Sequence, residues 1–300
     1  MPDGMIKPKR TLSAVAPETV EPKKPKVIVF GKEGVGKTWV SLDFPSVYYI
    51  DTEGGADLNH YREKLRQSGG AYMGPDQGSL DFDTLISEIA TLATVQHPYK
   101  TVVVDSLSKL WNNALADEQE RLGDKDAFGA HKKIPLRKFN TLIRWVNRLD
   151  MTVIFICHEK AVWGKDDKGQ QAQTGVTYDG PEKLGYELHL VLNVVKASPA
   201  VRISKIGKSR LVGFPEGDSF PWSYGQFSDR YGKDILEKTS AQIQIASTEQ
   251  VNEVLRLLDL VKTEHDWQEK VFKKAQVESW DEMEADRIDK IIALLKGKIN

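Results

Sequence analysis

The chain has 300 residues, 40% of them apolar, with 42 Lys and Arg against 43 Asp and Glu for a net charge of −1. That length accommodates one large α/β domain and a small appendage, with enough apolar residues to bury a substantial core. No window nears the ~18 uncharged apolar residues of a membrane span, the start MPDGMIKPKR lacks the apolar centre of a secretory signal, and Cys157, the only cysteine, permits neither a disulfide framework nor a thiolate metal site.

A cytosolic protein is therefore the default expectation, with Cys157 a core thiol inside TVIFICHE. Because charge is nearly balanced, affinity for nucleic acid has to come from local patches. Residues 1–25 mix Pro2, Pro8, Pro17, Pro22 and Pro25 with Lys7, Lys9, Arg10, Lys23 and Lys24 and show no apolar periodicity. They read as a flexible basic arm.

A β-branched run, KVIVF (26–30), follows and ends abruptly in GKEGVGKTWVS. Gly31, four residues, Gly36, Lys37 and Thr38 form the G-x-x-x-x-G-K-[ST] pattern directly after a strand and before a helix. Glycines let main-chain N–H groups curl around an anion without Cβ interference, the helix N-terminus adds partial positive charge, and a lysine bridges the outer phosphates. Gly31, Lys32, Glu33, Gly34, Val35, Gly36, Lys37, Thr38 and Trp39 are thus expected to cradle a nucleoside triphosphate, with Thr38 placing its hydroxyl on Mg²⁺.

The second run, VYYID (47–51), opens into TEGGADLNHY. Asp51 and Glu53 are two residues apart, so in an extended chain they point the same way, toward the carboxyl end of the sheet where ligands of open α/β folds bind. Glu53 is the candidate general base or water positioner and Asp51 its support; two solvated loop acids, or a helix cap, are the bland alternative. The third run, TVVVD (101–105), ends in Asp105, expected to hold the metal directly or through water, with capping of the next helix as the structural alternative. Helical spacing follows around Leu110 to Leu122 and Leu136 to Leu149. Between them GDKDAFGAHKK (123–133), ending in His131, Lys132 and Lys133, is either a strand-tracking loop or a helix connection.

TVIFIC (152–157) leads to His158, which emerges at the same end of the sheet and is either a sensor of the terminal phosphate or a satisfied edge histidine. The segment 161–183, rich in Gly, Gln, Lys and Asp, reads as a long loop. Trp163 and Tyr178 in it could stack on unpaired bases, with Lys165, Lys168 and Lys183 for phosphates; a surface loop touching nothing is the alternative. LHLVLNVVK (188–196) and AVRISK (200–205) suit an antiparallel hairpin at one edge. In RISKIGKSRL, Lys205, Lys208 and Arg210 could protect an edge, contact nucleic acid, or reach a γ-phosphate in a neighbouring subunit.

From about Ser240 the period becomes helical. Val251, Val254, Leu255, Leu258 and Val261 share a face behind a capping box of Ser247 and Gln250, and Ile288, Ile291, Ile292 and Leu295 follow a second box of Ser279 and Glu282. The whole reads as α/β: a core over 26–239 with a mainly parallel twisted sheet, then a small helical bundle over 240–300.

GKEGVGKT, YIDTEGGADLNHY, TVVVDSLSKL, TVIFICHEK and RISKIGKSRL, in that order over roughly 26–215, resemble the P-loop ATPase core of RecA-like recombinases, closest to the compact core-only phage proteins that promote single-strand annealing or recombination. The resemblance implies that Lys37 and Thr38 bind ATP and Mg²⁺, that Asp105 is the metal-side acid, and that Glu53 is the catalytic carboxylate. It also makes His158 the nucleotide sensor, 123–133 and 161–183 the DNA-facing loops, and Lys208 and Arg210 cations that reach across a subunit boundary. The sensor position holds glutamine in RecA, so histidine is a departure. Single-stranded DNA, further copies of the chain in a ring or filament, and a single-strand-binding protein are the implied partners, in the cytoplasm of a phage-infected or prophage-carrying bacterium. A helicase- or loader-type motor and a nucleotide-gated interaction module are the alternatives; a small-molecule kinase fits less well.

Overall fold

The computed structural model describes residues 14–19, 21–55, 58–165, 169–261 and 266–299. The arm's residues 1–13 and Lys168 lie outside them. The core runs β1 (Lys26–Gly31), α1 (Lys37–Ser41), β2 (Val47–Asp51), α2 (Asn59–Gln67), β3 (Ala71–Met73), α3 (Phe82–Thr94), β4 (Thr101–Asp105), α4 (Leu107–Leu122), α5 (Lys133–Arg148), β5 (Thr152–Lys165), β6 (Gln171–Tyr178), α6 (Leu184–Glu187), β7 (Leu190–Lys196), β8 (Arg202–Ser209), β9 (Ser219–Pro221), α7 (Tyr224–Tyr231) and α8 (Lys233–Glu237). The C-terminal helices are α9 (Thr248–Leu260), α10 (Trp267–Ala275) and α11 (Ala285–Ile299).

Strand order is β3-β2-β4-β5-β1-β7-β8-β9, with β6 paired only to β5. Pairings from β3 to β7 are parallel, whereas β7-β8 and β8-β9 are antiparallel. The central strands read as unbroken apolar runs because both of their faces are covered. Ile28 and Phe30 pack with Leu85, Ile89, Leu142 and Val146 of α3 and α5. Val27 and Val29, pointing the other way, pack with Val40, Leu65, Phe227 and Leu236. Every strand of the parallel set therefore ends at one edge, where polar residues meet. Cys157 is in the core, and burial pushes its thiol up to about 12.

Four details differ from the sequence reading. Segment 161–183 is not an irregular loop for most of its length. β5 runs on past the sheet and pairs with β6 as an antiparallel hairpin, from Glu159 opposite Tyr178 to Lys165 opposite Gln171, with a bulge at Val162/Trp163. Its ladder satisfies the backbone without burying a face, so Gly, Gln and Thr suffice and no apolar alternation marks it. At the arm boundary, Lys24 is buried and its ammonium donates to the Lys238 carbonyl and to Ser240 Oγ. In α9 the Ser247–Gln250 box is formed, but Leu257 rather than Leu255 completes the buried face. The second box is not formed: the Glu282 carboxylate accepts from the Glu278 N–H across a turn, and α11 begins three residues later at Ala285.

The C-terminal helices share a separate cluster of Val251, Val254, Leu257, Trp280, Met283, Ile288 and Leu295. The swap of Leu255 for Leu257 gives a direct check. Leu257→Ala, with its side chain 1% exposed, is expected to cost about 2–5 kcal/mol in urea unfolding of the bundle. Leu255→Ala, 46% exposed, should stay within about 0.5 kcal/mol; equal losses would show that the sequence-derived face is the buried one.

Candidate functional site

The loop from Gly31 to Thr38 leaves β1 at the sheet centre. A Cβ on Gly31 would lie 2.3 Å from the Val194 carbonyl oxygen, so only glycine lets β1 turn upward beside β7. Gly36, at φ +90°, begins α1 in the left-handed region, the backbone shape on which an anion-binding nest of successive N–H groups depends. Because α1 spans only Lys37–Ser41, its dipole is that of little more than one turn, and the loop amides carry more of the anion-binding role than the sequence suggests. Lys37 Nζ donates to the carbonyls of Gly31 and Lys32, each at 2.8 Å. Burial lowers its pKa, opposed by the charges of Asp105 and Glu53. Lys32, Glu33 and Gly34 are exposed, Val35 is buried, and Trp39 is half-exposed with the Lys64 ammonium 3.8 Å from its ring.

Asp105 reaches the loop from β4. Its Oδ2 accepts from Thr38 Oγ1 at 2.5 Å and from Tyr49 Oη at 3.1 Å. Burial pushes the carboxyl up to about 6; Thr38 and Tyr49 act against that, while the negative charges of Glu53 and Asp51 add to it. Asp51 sits opposite Asp105 in the β2-β4 register. It scaffolds the turn: Oδ1 accepts from the N–H groups of Glu53 and Gly54 at 3.0 and 2.9 Å, and Oδ2 from Tyr72 Oη at 3.1 Å.

Glu53 Oε1 accepts from Ser106 Oγ and lies 2.6 Å from His158 Nε2 as well. Burial raises the Glu53 pKa, but the hydrogen bonds from Ser106 and His158 and the His158 charge outweigh it, leaving the carboxyl below its usual value. Ser106 is locked in turn by Thr52, whose Oγ1 accepts from the Ser106 N–H at 2.8 Å and donates to its carbonyl at 3.0 Å. The Asp105–Ser106 peptide bond is cis. On β5, the His158 N–H donates to Ser108 Oγ, and the His158 carbonyl accepts from the Asp179 N–H at the foot of the hairpin. Of the residues singled out by sequence, Thr38 thus meets Asp105 and Glu53 meets His158 directly, while Lys37 is linked to Asp105 and Glu53 through their charges.

Other expected residues lie elsewhere. Trp163 is 63% exposed on the hairpin, and Lys165 is exposed at the end of β5. Lys132 and Lys133 are exposed where a short 3₁₀ turn enters α5, and His131 there is tied to Asp126 at 2.7 Å. Lys208 and Arg210 are at the far end of β8, opposite the start of β7, where they donate to the Leu188 and Tyr186 carbonyls. The cation of that strand that does lie beside the loop is Arg202: a Cβ on Gly36 would be 3.5 Å from its Nε. Arg202, Trp39, Trp222 and Val201 line a cavity of about 610 Å³ that adjoins Gly36. Sequence reading missed Tyr49, Tyr72, Ser106 and Arg202. Tyr49 had a signal, lying two residues before Asp51 and hence on its face of β2; Arg202 had none, because antiparallel pairing alone brings it there.

Residues 23–216, well over half of the chain, match the protein family described as an AAA domain. No curated protein matches the chain.

The raised Asp105 carboxyl has a stability consequence with a definite sign. Below about pH 4 it is protonated whether the chain is folded or not, so no penalty exists; above about pH 6 the fold carries the full cost of a buried, ionised carboxylate. Asp105→Asn is neutral at every pH and still accepts from Thr38 and Tyr49. In urea unfolding without nucleotide or divalent ions it should exceed wild type by up to about 3 kcal/mol near pH 8, the gain shrinking as pH falls toward 4. A difference independent of pH would contradict the burial argument.

Proposed function

The chain belongs to the AAA-domain family of nucleotide-binding ATPases, and we propose that it is a Mg²⁺-dependent ATPase that assembles on single-stranded DNA and promotes annealing or strand pairing, as in phage-type recombination. The observation that carries the reading is the Glu53–His158 contact at 2.6 Å, since it joins a candidate catalytic carboxylate to the strand that becomes the exposed hairpin.

The loop amides and Lys37 bind the triphosphate, Lys37 exchanging two main-chain carbonyls for outer phosphate oxygens. The Thr38 hydroxyl and the Asp105 carboxylate, 2.5 Å apart, are hard oxygen donors that suit a magnesium ion, which would neutralise phosphate charge and polarise the terminal phosphoryl group. Among the described residues no three His, Cys, Asp or Glu side chains form a self-sufficient metal cluster, so two protein donors would leave the remaining positions to phosphate oxygens and water. Glu53, its pKa held down, is ionised at neutral pH and accepts a hydrogen bond from the attacking water, aligning it with the phosphoryl group. Ser106 fixes the carboxylate's orientation. His158 is shared: a terminal phosphate competes with Glu53 for its ring N–H, freeing the carboxylate for water and shifting β5. The cavity beside Gly36, with Trp39, Trp222 and Arg202, receives the base.

Trp163 offers a ring on which an unpaired base stacks, worth ~1–3 kcal/mol, and Lys165, Lys132 and Lys133 contact phosphates. ATP binding then sets the DNA-bound state and hydrolysis releases it, with copies of the chain side by side along the strand.

Glu53→Gln is expected to lower ATP turnover at least about a hundredfold while nucleotide binding, measured by fluorescence of a labelled analogue, persists; Lys37→Ala should lose the binding itself. Unchanged turnover in Glu53→Gln would remove the catalytic assignment. Turnover should also rise on addition of single-stranded DNA in wild type and fail to rise in Trp163→Ala, and a rate indifferent to DNA in wild type would reject the recombinase reading.

A further inference from the structure

Charge is nearly balanced over the chain but not in space. At the amino-terminal ends of the strands, opposite the phosphate loop, a cleft of about 690 Å³ lies between α5 and the C-terminal helices. Six cations line it, Lys23, Arg144, Arg148, Lys273, Lys274 and Arg287, against two carboxylates, Glu187 and Glu284. An adjoining cavity of about 360 Å³ shares Lys23, Arg148 and Glu284 with it and continues past Asp150 to Lys26 and His189 beneath β1 and β7.

The arginines are already held in place. Arg144 pairs with Glu278 at 2.9 Å, Arg287 with Glu284 at 3.3 Å, and Arg148 donates to the Glu282 carbonyl at 2.9 Å. Lys23, Lys273 and Lys274 are exposed and have no carboxylate partner among the described residues. Two lysines in a last helical turn are ordinary company for its carbonyls. That does not account for Lys23, which arrives from the segment before β1, or for the arginines of α5 on the facing wall. Burial first, then the charges of Lys26, Lys208, Arg210 and Lys23, holds the His189 imidazole in the adjoining cavity down to about 4; of the six cations of the cleft, Lys23 is the one that acts on it.

We infer that this cleft binds the phosphodiester backbone of a nucleic-acid strand, at the end of the sheet opposite the ATP site. Free ammonium groups on two walls, with arginines fixed between them, match a chain of phosphates whose counterions they displace. The amides of Asn140, Asn147 and Gln276 line the cleft as well, and such groups bond phosphate and base edges alike. Ile143 and Val277 lie buried beneath it, and Phe272, the remaining large apolar side chain of the lining, is packed half-buried against the helical cluster, so what the cleft presents is mainly cationic and amide groups. The inference goes beyond the hairpin reading and stands whether or not the hairpin touches DNA.

The test is fluorescence anisotropy of the full chain with a labelled thymidine 30-mer and a 30-base-pair duplex, over a salt series and without nucleotide. Four proteins are compared: wild type, Lys273→Glu/Lys274→Glu, Lys23→Glu and Trp163→Ala. Charge reversal is expected to weaken the single strand about tenfold or more at low salt and to reduce the log–log salt slope by about 1.4, two phosphates at about 0.7 each. Lys23→Glu, from a different segment, should reproduce half of the slope change, and turnover without DNA should match wild type. A smaller loss for the duplex than for the oligomer identifies the single strand as the ligand, and the reverse order identifies the duplex; both support the site. Wild-type affinity and slope with both probes in the two charge-reversed proteins would overturn it, even if Trp163→Ala binds poorly. Polyglutamate displacing the oligomer at equal charge concentration would overturn it in favour of an acidic protein.

Discussion

Two carboxylates face each other across neighbouring parallel strands, Asp51 on β2 and Asp105 on β4, and a third, Glu53, follows two residues on. Like charges at adjacent strand positions repel, and burial of Asp105 compounds the cost. Every donor around them serves to hold that charge: Thr38 and Tyr49 on Asp105, Tyr72 and two amides on Asp51, Ser106 and His158 on Glu53. The convergence of so many polar groups on strands that are otherwise mostly apolar follows from this requirement. So does the placing of Lys37, whose charge is drawn toward those of Asp105 and Glu53.

The opposite end of the sheet has the opposite sign. Lys26, the first residue of β1, is fully buried with its ammonium on the Leu149 and Met151 carbonyls at 2.7 and 2.5 Å, and burial lowers its pKa to about 7. It closes the carbonyl end of α5, the helix whose outer face carries Arg144 and Arg148. A single strand, β1, therefore begins against a cationic cleft and ends in a phosphate loop. Net charge, at −1, conceals a polarity along the strand direction, and His189 at the cationic end is held down first by burial and then by Lys26, Lys208, Arg210 and Lys23.

Much of this was legible because the chemistry is contiguous. Gly31, Gly36, Lys37 and Thr38 need one another within a single turn, so their order in sequence announces the loop. Asp105 and His158 were found because an apolar run that stops at a polar residue marks a strand end in a parallel sheet. The hairpin after His158 was misread as a loop since its strands bury nothing and leave no alternation. Lys208 and Arg210 are expected to reach across a subunit boundary, and the antiparallel turn between β7 and β8 sets them at the far end of the strand while it carries Arg202 to the chain's own loop. Leu255 looked like a core position because three of its neighbours are also apolar; only the packing against α11 selects Leu257.

The hairpin's position gives it a mechanical property the rest of β5 lacks. Through Ile156 the strand is held on both sides, by β4 and by β1, and at His158 by β1 through Gly31. Beyond that point it pairs with β6 alone. A displacement of the His158 ring meets a fixed sheet on one side and a two-stranded arm on the other, and the arm is the part that yields, because an isolated hairpin is marginal in water while a covered parallel strand is not. Its foot is hinged by bonds that also involve His158, the Asp179 N–H on its carbonyl and Ser108 bridging both residues. Under the proposed exchange of Glu53 for a phosphate at the His158 ring, the side of the strand free to follow is the one that leads outward to Trp163.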